Sequence, residues 1–254
     1  MNKHLKLDQN KLKILRVKDK TDNMTVSVDH LFDVPMRLII VGKSGSGKGG
    51  ILTNLFLNDH YQYDKVFEGD RIFIFAPDSM ADEKLKVIIE QKDIPDSNLF
   101  DEYDDDILSE LYDTLVDDFK ERMANKEPIK MSVIILDDLS FSGKFASRFN
   151  SLCKIFCNAR KFFISVIVTS QAYTQIAKNL RLQASGVIIF QTTNKELATI
   201  ASENNYLDSG KDSDFIHMFR EHVSERHDFL CINYSNKHDD LYLDKEFRVI
   251  KQYL

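Results

Sequence analysis

Hydrophobic residues occur along the chain in short runs that are separated by segments with helical spacing. Five of these runs have the length of a buried strand, and each ends at a polar residue, a glycine or a proline. They cover residues 36–41, 71–77, 132–136, 162–169 and 186–190. Strands that alternate with helices predict an α/β fold with a mostly parallel sheet and helices on both of its faces.

Helical spacing follows the first run and recurs further along the chain. We predict further helices at residues 82–91, 105–123 and 146–159, and one or two more between residues 195 and 222. Short strands are expected near residues 229–233 and 247–250. We therefore divide the chain into an N-terminal extension (1–33), a core (34–205) and a C-terminal helix with short strands packed on the core (206–254).

Composition narrows the possible classes of protein. The 254 residues suffice for one large α/β domain with small additions, and the three cysteines argue against a disulfide framework. No apolar stretch approaches the roughly twenty residues of a membrane span, so we expect no membrane partner. The net charge of −6 does not indicate a passive nucleic-acid coat, although a local patch can still bind DNA. The lysine-rich first twenty residues are either a solvated surface or an arm for DNA or a partner.

A glycine-rich loop follows the first predicted strand and precedes a predicted helix. The loop matches the first seven positions of the Walker A pattern, namely Gly42, Lys43, Ser44, Gly45, Ser46, Gly47 and Lys48. Glycines allow successive backbone amides to curl around an anion, and the helix N-terminus adds partial positive charge. The Lys48 ammonium is placed to reach the β- and γ-phosphates of a nucleotide. The loop therefore predicts an ATP site.

The next position departs from that pattern. Walker A loops continue with a serine or threonine whose hydroxyl binds Mg²⁺, whereas this chain has Gly49 and Gly50. Water can fill a vacant coordination position, because Mg²⁺ commonly keeps several waters. We expect nucleotide binding to survive with weakened metal affinity, and we expect Gly49→Ser to tighten Mg²⁺–ATP binding.

The third predicted strand ends in two acids, Asp137 and Asp138, in the form of a Walker B motif. Carboxylates at the C-terminal end of a parallel strand face the ligand crevice. We assign Mg²⁺ binding to Asp137 and polarisation of the attacking water to Asp138. The next strand ends with a polar tip, where Gln171 is the best candidate for sensing the γ-phosphate, ahead of Thr169 and Ser170.

Two arginines precede predicted strands and are candidates for a finger that acts on the ATP of a neighbouring subunit. Arg160 comes just before the fourth strand, and Arg181 comes just before the fifth. An arginine supplied in trans stabilises the charge that develops on the γ-phosphate. A surface arginine without this role is the alternative for each. His217, His222 and His227 are spaced by fives and are interpreted as surface residues rather than metal ligands.

These motifs together resemble the poxvirus-type packaging ATPases of the FtsK/HerA superfamily. The resemblance covers residues 34–200 and is carried by segments 40–48, 134–139, 157–166 and 169–185. The family often has Gly-Arg-His where this chain has Ala159-Arg160-Lys161. The resemblance implies a P-loop NTPase three-layer sandwich of the additional-strand type, in which an extra strand accompanies an extra catalytic acid.

The same resemblance implies the function. We expect a ring of five or six identical subunits that hydrolyses ATP with Mg²⁺ and pumps double-stranded DNA into a preformed viral capsid, in contact with capsid or portal-like vertex proteins. The expected location is the host cytoplasm or the viral factory, with association to the virion as a further option. The alternatives are a nucleotide-binding assembly protein with weak ATPase activity, which Gly49 would explain, and a small-molecule phosphotransferase. A phosphotransferase would need an arginine-rich lid, whereas residues 78–128 are acidic.

Overall fold

The fold is taken from a computed structural model, which describes residues 31–61, 63–77, 82–138 and 151–251. Most of the predicted N-terminal extension, the segment that follows Asp138 and the last three residues therefore lie outside the described residues. The part of the predicted fourth helix that precedes residue 151 lies outside them as well.

A single sheet organises the described part of the chain. Its eight strands are β1 (Arg37–Val41), β2 (Ile72–Phe75), β3 (Leu99–Phe100), β4 (Ser132–Leu136), β5 (Ile164–Ser170), β6 (Gly186–Phe190), β7 (Phe229–Asn233) and β8 (Tyr242–Leu243). Their order across the sheet is β3-β2-β4-β5-β1-β6-β7-β8. The strands from β3 to β6 pair in parallel, whereas β7 and β8 are antiparallel additions.

Helices cover both faces of this sheet. They are α1 (Lys48–Leu57), α2 (Glu83–Gln91), α3 (Asp105–Asn125), α4 (Ser151–Asn158), α5 (Lys178–Arg181), α6 (Asn194–Asn204) and α7 (Asp212–His222). Side-chain oxygens of Asp82, Asp104 and Thr193 accept hydrogen bonds from the first amides of α2, α3 and α6. Such N-caps satisfy amides that would otherwise lack partners, and they explain where these helices begin.

Side chains that alternate along the strands separate two hydrophobic cores. In β1, Ile39 and Val41 pack into the core that also contains the apolar residues of α3, α4, α6 and α7. Leu38 and Ile40 point the other way and pack with the apolar residues of α1 and α2. Successive side chains of a strand face opposite sides, so a strand that is apolar throughout must be covered twice. The three-layer α/β architecture with a mostly parallel sheet is thereby confirmed.

Several element boundaries differ from the sequence predictions. β5 begins at Ile164 rather than at residue 162, because residues 159–162 form a 3₁₀ turn that ends at Phe163 with a φ of 61°. The strand expected at residues 247–250 is only an isolated bridge between Leu243 and Val249. Two strands of two residues each, β3 and β8, were not predicted. Within the described ranges, no helix combines the length and the apolar character needed to cross a membrane.

Candidate nucleotide-binding site

The glycine-rich loop connects β1 to α1 at the carboxyl edge of the sheet. Its first amide, that of Gly42, donates to the carbonyl oxygen of Ser170 in β5 at 3.0 Å. Gly45 and Gly47 have φ values of 72° and 122°, which L side chains rarely adopt. A Cβ atom on Gly42 would lie 2.4 Å from Ser46 Oγ and 2.8 Å from the Cβ atom of Phe190. Glycine at these positions therefore allows the curled form without backbone strain or close side-chain contacts.

The interior of the loop holds polar groups that suit an anionic ligand. The Lys48 ammonium donates to the Gly42 carbonyl oxygen at 2.7 Å, so the side chain is folded back along the loop. Ser46 Oγ is buried and has no hydrogen-bond partner among the residues that the structure describes. A buried hydroxyl without a partner is costly, so its presence inside an amide-lined loop fits a phosphate ligand.

The first Walker B acid lies at the end of β4. The Asp137 amide donates to the carbonyl oxygen of Phe75 at 2.8 Å, and Thr169 Oγ1 donates to Asp137 Oδ1 at 2.6 Å. Burial raises the pKa of Asp137, and the Thr169 hydrogen bond offsets only part of that rise. The negative charges of Asp138 and Asp82 raise this pKa further, whereas the Lys48 ammonium opposes them. The carboxylate therefore lies in a position where a nearby cation would stabilise its charged form.

The second acid is linked to the polar tip of β5. Asp138 has a φ of 45°, and its amide donates to Thr169 Oγ1 at 3.0 Å. The side-chain amide nitrogen of Gln171, Nε2, donates to Asp138 Oδ2 at 2.9 Å. Thr169 thus contacts both acids through one hydroxyl, while Gln171 holds the side chain of the second.

The strand order explains why these groups lie at one edge. β5 pairs with β4 on one side and with β1 on the other. The strand that carries Thr169 and Gln171 is therefore inserted between the strand of the glycine loop and the strand of the two acids. The carboxyl ends of parallel strands meet at the same edge, which is where α/β proteins bind ligands.

Comparison with known proteins agrees with this arrangement. Residues 23–250 match the family model described as poxvirus A32 protein. The chain belongs to this family. The resemblance to the poxvirus-type family is thereby confirmed, and at the level of the poxvirus A32 family the protein is a P-loop ATPase.

Solved structures show the same fold. The genome-packaging NTPase B204 from Sulfolobus turreted icosahedral virus 2 with AMPPCP aligns with a TM-score of 0.53 and 17% identity, covering 79% of this chain and 94% of that chain. Its complex with ATP-gammaS gives a TM-score of 0.51 and 16% identity, covering 78% and 91%. The DNA-packaging ATPase B204 from Sulfolobus turreted icosahedral virus gives 0.52 and 17%, covering 80% and 94%. No curated protein sequence matches the chain.

In this poxvirus A32 family member, the position after Lys48 is filled from another helix. A Cβ atom on Gly49 would lie 2.9 Å from Lys84 Cδ and 3.5 Å from Lys84 Cβ. The aliphatic stem of Lys84 in α2 thus occupies the space beside α1 that a serine or threonine side chain would enter. Gly50 has open space around it, with no atom within 4 Å of a Cβ placed there.

The residues of the site fit ATP. They also fit Mg²⁺, but with one protein ligand fewer than in a Walker A loop that ends in serine or threonine. The Lys48 ammonium and the backbone amides of the glycine loop fit a polyphosphate, and the Asp137 carboxylate fits a hard cation. Lys43 and Ser44 are exposed, and the Lys43 carbonyl oxygen accepts from the Ser46 amide at 3.1 Å and from the Lys48 ammonium at 3.5 Å. Gly49 supplies no oxygen from a side chain, so water would complete the coordination of the metal.

The two candidate fingers lie in different surroundings. Arg160 is exposed in the turn before β5, at the edge of the sheet opposite the glycine loop. Burial, and then the charge of Arg160, lower the pKa of Arg37. Because β5 is seven residues long, Arg160 is about 20 Å from the site of its own chain. An arginine at this distance cannot contact a nucleotide held by the Walker A and Walker B residues of its own chain.

Arg181 does not fit the expected finger role. Its side chain is 8% exposed and forms two hydrogen bonds with Glu203, at 2.9 and 2.8 Å. Its guanidinium also lies 4.7 Å from the centre of the Tyr173 ring and donates to the Ile176 carbonyl oxygen at 2.6 Å. A guanidinium with so many partners in its own chain stabilises the fold and is not available to a neighbouring subunit. The structure therefore does not support Arg181 as a finger.

Two residues beside the glycine loop were not found from the sequence. The Nδ1 atom of His227 lies 2.9 Å from the Ser46 carbonyl oxygen, and Arg226 Nη2 lies 3.2 Å from the position of a Cβ on Gly45. His227 was interpreted only as a surface residue. It is exposed, but it also touches the phosphate loop, and no local sequence pattern indicates that contact.

Proposed function

We propose that the protein is an ATP-driven translocase that moves double-stranded DNA into a preformed viral capsid. The observation that supports this most is the inserted strand β5. The polar residues at its carboxyl end contact both Walker B acids, and Arg160 lies in the 3₁₀ turn before its first residue. A nucleotide site linked in this way to the opposite edge of the subunit suits a ring in which each ATP is completed by a neighbour.

Hydrolysis would proceed by positioning and charge stabilisation. Lys48 would leave the Gly42 carbonyl and contact the β- and γ-phosphates, while Asp137 and water hold Mg²⁺. Mg²⁺, when bound there, would supply positive charge to neutralise the charge that develops on the phosphates. Asp138 would polarise the attacking water, and Gln171, bonded to it, would change partner when the γ-phosphate leaves. That change would be the signal that moves DNA-contacting loops.

The same geometry supports a proposal for the assembly. We propose a homo-oligomeric ring, a pentamer or a hexamer, in which Arg160 of one subunit faces the nucleotide of the next. Its partners would be duplex DNA and the capsid or portal-like vertex proteins. We place this activity in the host cytoplasm or viral factory, with association to the virion during packaging.

The test measures ATP turnover with and without duplex DNA, together with displacement of a third strand from a DNA triplex as the readout of translocation. We expect DNA to stimulate turnover and ATP to drive strand displacement. Lys48→Ala should abolish both activities, whereas Asp138→Asn should retain ATP binding and lose hydrolysis. Near-normal hydrolysis by Lys48→Ala would refute the P-loop assignment, and turnover indifferent to DNA would refute translocation.

One observation favours a second candidate, a nucleotide-binding assembly protein with weak ATPase activity. Gly49 removes the hydroxyl ligand of the metal, and the Lys84 stem fills its place. Tight ATP binding without turnover, in the presence of both DNA and Mg²⁺, would identify this function. A phosphorylated small product would instead identify a phosphotransferase.

A further inference from the structure

The segment between α7 and β7 returns to the nucleotide site from the antiparallel side of the sheet. β7 pairs with β6 in a register that places Phe229 opposite Phe190, and the two rings lie 5.4 Å apart. Phe190 is also the side chain under the glycine loop, since Cβ atoms on Gly42 and Gly47 would lie 2.8 and 3.1 Å from its atoms. The residues just before Phe229 therefore lie beside the loop.

A buried carboxylate fixes the shape of this segment. Asp228 is 5% exposed, and its Oδ2 accepts from the Glu225 amide at 2.8 Å. Its Oδ1 accepts from the Lys245 ammonium at 2.7 Å. Burial alone would raise the pKa of Asp228, but the bonds from Lys245 and Glu225 outweigh it, so this pKa lies below its ordinary value. Gln191 adds a bond to the Ser224 carbonyl oxygen at 2.9 Å. These hydrogen bonds hold the segment in one defined conformation.

His227 connects this turn to the phosphate loop. A carbonyl oxygen only accepts, so the 2.9 Å contact between His227 Nδ1 and Ser46 O requires the proton on Nδ1. The bond holds the Ser46–Gly47 peptide, whose orientation decides where the next amide points. His227 therefore acts on the anion cradle through the backbone and is a positioning residue.

Arg226 places a free positive charge at the same loop. Its side chain is exposed, Nη2 is close to Gly45, and no described carboxylate forms an ion pair with it. The other arginine of this region, Arg220 in α7, instead donates to Asn194 Oδ1. A guanidinium without a carboxylate partner, next to backbone amides that point at an anion, suits the oxygens of a polyphosphate.

We propose that Arg226 binds the polyphosphate of the nucleotide held by its own subunit, and that His227 positions the loop for it. This inference deepens the proposed function and rests on it. The ligand class is a di- or triphosphate, recognised by its phosphate oxygens rather than by its base. Arg226 would act in cis, in contrast to the Arg160 proposed to act between subunits.

The experiment compares the binding of ATP and of inorganic tripolyphosphate to the full chain in the presence of Mg²⁺. Arg226→Ala should weaken both ligands by about tenfold or more, the loss expected for a charge-assisted hydrogen bond. Arg226→Lys should restore part of the affinity, because the charge is kept and the paired geometry is lost. Arg220→Ala is the matched control and should bind both ligands like the wild type.

A second variant tests the positioning role. His227→Ala should raise the KM for ATP with little change in kcat, and His227→Gln, whose amide can donate to the same carbonyl, should recover most of the affinity. An unaltered melting temperature in each variant would show that the fold is intact. Equal effects of alanine and glutamine at this position would refute the hydrogen-bond role.

The outcomes separate this inference from the proposed function. If the wild type binds neither ligand, the nucleotide-site assignment itself fails. If the wild type binds both and Arg226→Ala is unchanged, only the role of Arg226 is refuted. A loss confined to ATP, with tripolyphosphate unaffected, would place Arg226 at the base or ribose and would overturn the proposal as stated.

Discussion

The Gly49→Ser variant restores the missing Walker A hydroxyl and tests whether the Lys84 side chain of α2 obstructs a side chain at this position of α1. In the Gly49→Ser variant the new Cβ would lie 2.9 Å from Lys84 Cδ and 3.5 Å from Lys84 Cβ. The nearer atom belongs to a flexible, exposed side chain, so we expect the lower end of the over-packing cost, about 1 kcal/mol. Serine in place of glycine in a helix returns up to about 0.5 kcal/mol. The fold should therefore remain stable.

The effect on metal binding should depend on Lys84. With Lys84 present, the serine competes with its stem, and Mg²⁺–ATP affinity should improve only modestly. In the double variant Gly49→Ser/Lys84→Ala the hydroxyl can turn freely to the metal. Relief of about 1 kcal/mol of steric cost corresponds to about fivefold tighter binding than in the single serine variant.

The assay is a Mg²⁺ titration of ATP binding for the wild type, both single variants and the double variant, arranged as a double-mutant cycle. Lys84→Ala alone is the control, since removing the stem without adding a hydroxyl should leave Mg²⁺ affinity nearly unchanged. Additive effects of the two substitutions would refute the steric explanation of Gly49. A serine variant that gains nothing in either background would show that this hydroxyl does not reach the metal.

Three further predictions concern residues outside the loop. Arg181→Ala should lower the free energy of unfolding by about 3 kcal/mol, because it removes two charge-assisted hydrogen bonds from the largely buried Glu203 carboxylate. The only remaining ion pair of Glu203 among the described residues is then the 3.9 Å contact with the exposed Lys178 ammonium. A thermal melt checks this prediction, and an unchanged melting temperature with lost ATPase activity would revive the finger role. Arg160→Ala should reduce ATP turnover while leaving nucleotide affinity intact, and mixing it with Lys48→Ala subunits should recover part of the turnover if the arginine acts between subunits. Asp228→Asn should destabilise the protein at neutral pH. The lowered pKa of Asp228 means that the carboxylate contributes stability above its ordinary pKa and loses it as pH falls through the folded value, so the difference in unfolding free energy between variant and wild type should shrink in strong acid.

Much of the fold could be predicted because its signals are local. A strand that is apolar throughout, a glycine loop and a helix follow each other within residues 36–56, and the same logic located β4 and β5. Strands of two residues carry too little pattern to be recognised, which explains why β3 and β8 were missed.

The site residues likewise fall into those that a local sequence pattern predicts and those that it does not. Lys48, Asp137 and Gln171 follow or end predicted strands, and the rule that parallel strands meet at one edge brought them together. Arg181 was misassigned because its partner, Glu203, lies 22 residues further along the chain in another helix. Arg226 and His227 reach the loop only through the antiparallel register of β6 and β7, which no local spacing encodes.

Strand β5 also has a mechanical consequence. Its seven residues, which pair with β4 on one side and with β1 on the other, span about 20 Å and resist stretching, since the rise of an extended backbone is nearly fixed. A displacement of Thr169 along the strand axis is therefore passed to Ile164, the first residue of the strand, which follows the 3₁₀ turn of Arg160. The strand thus connects the Thr169 hydroxyl, which contacts both Walker B acids, to the turn that positions the guanidinium of Arg160 at the opposite edge of the sheet.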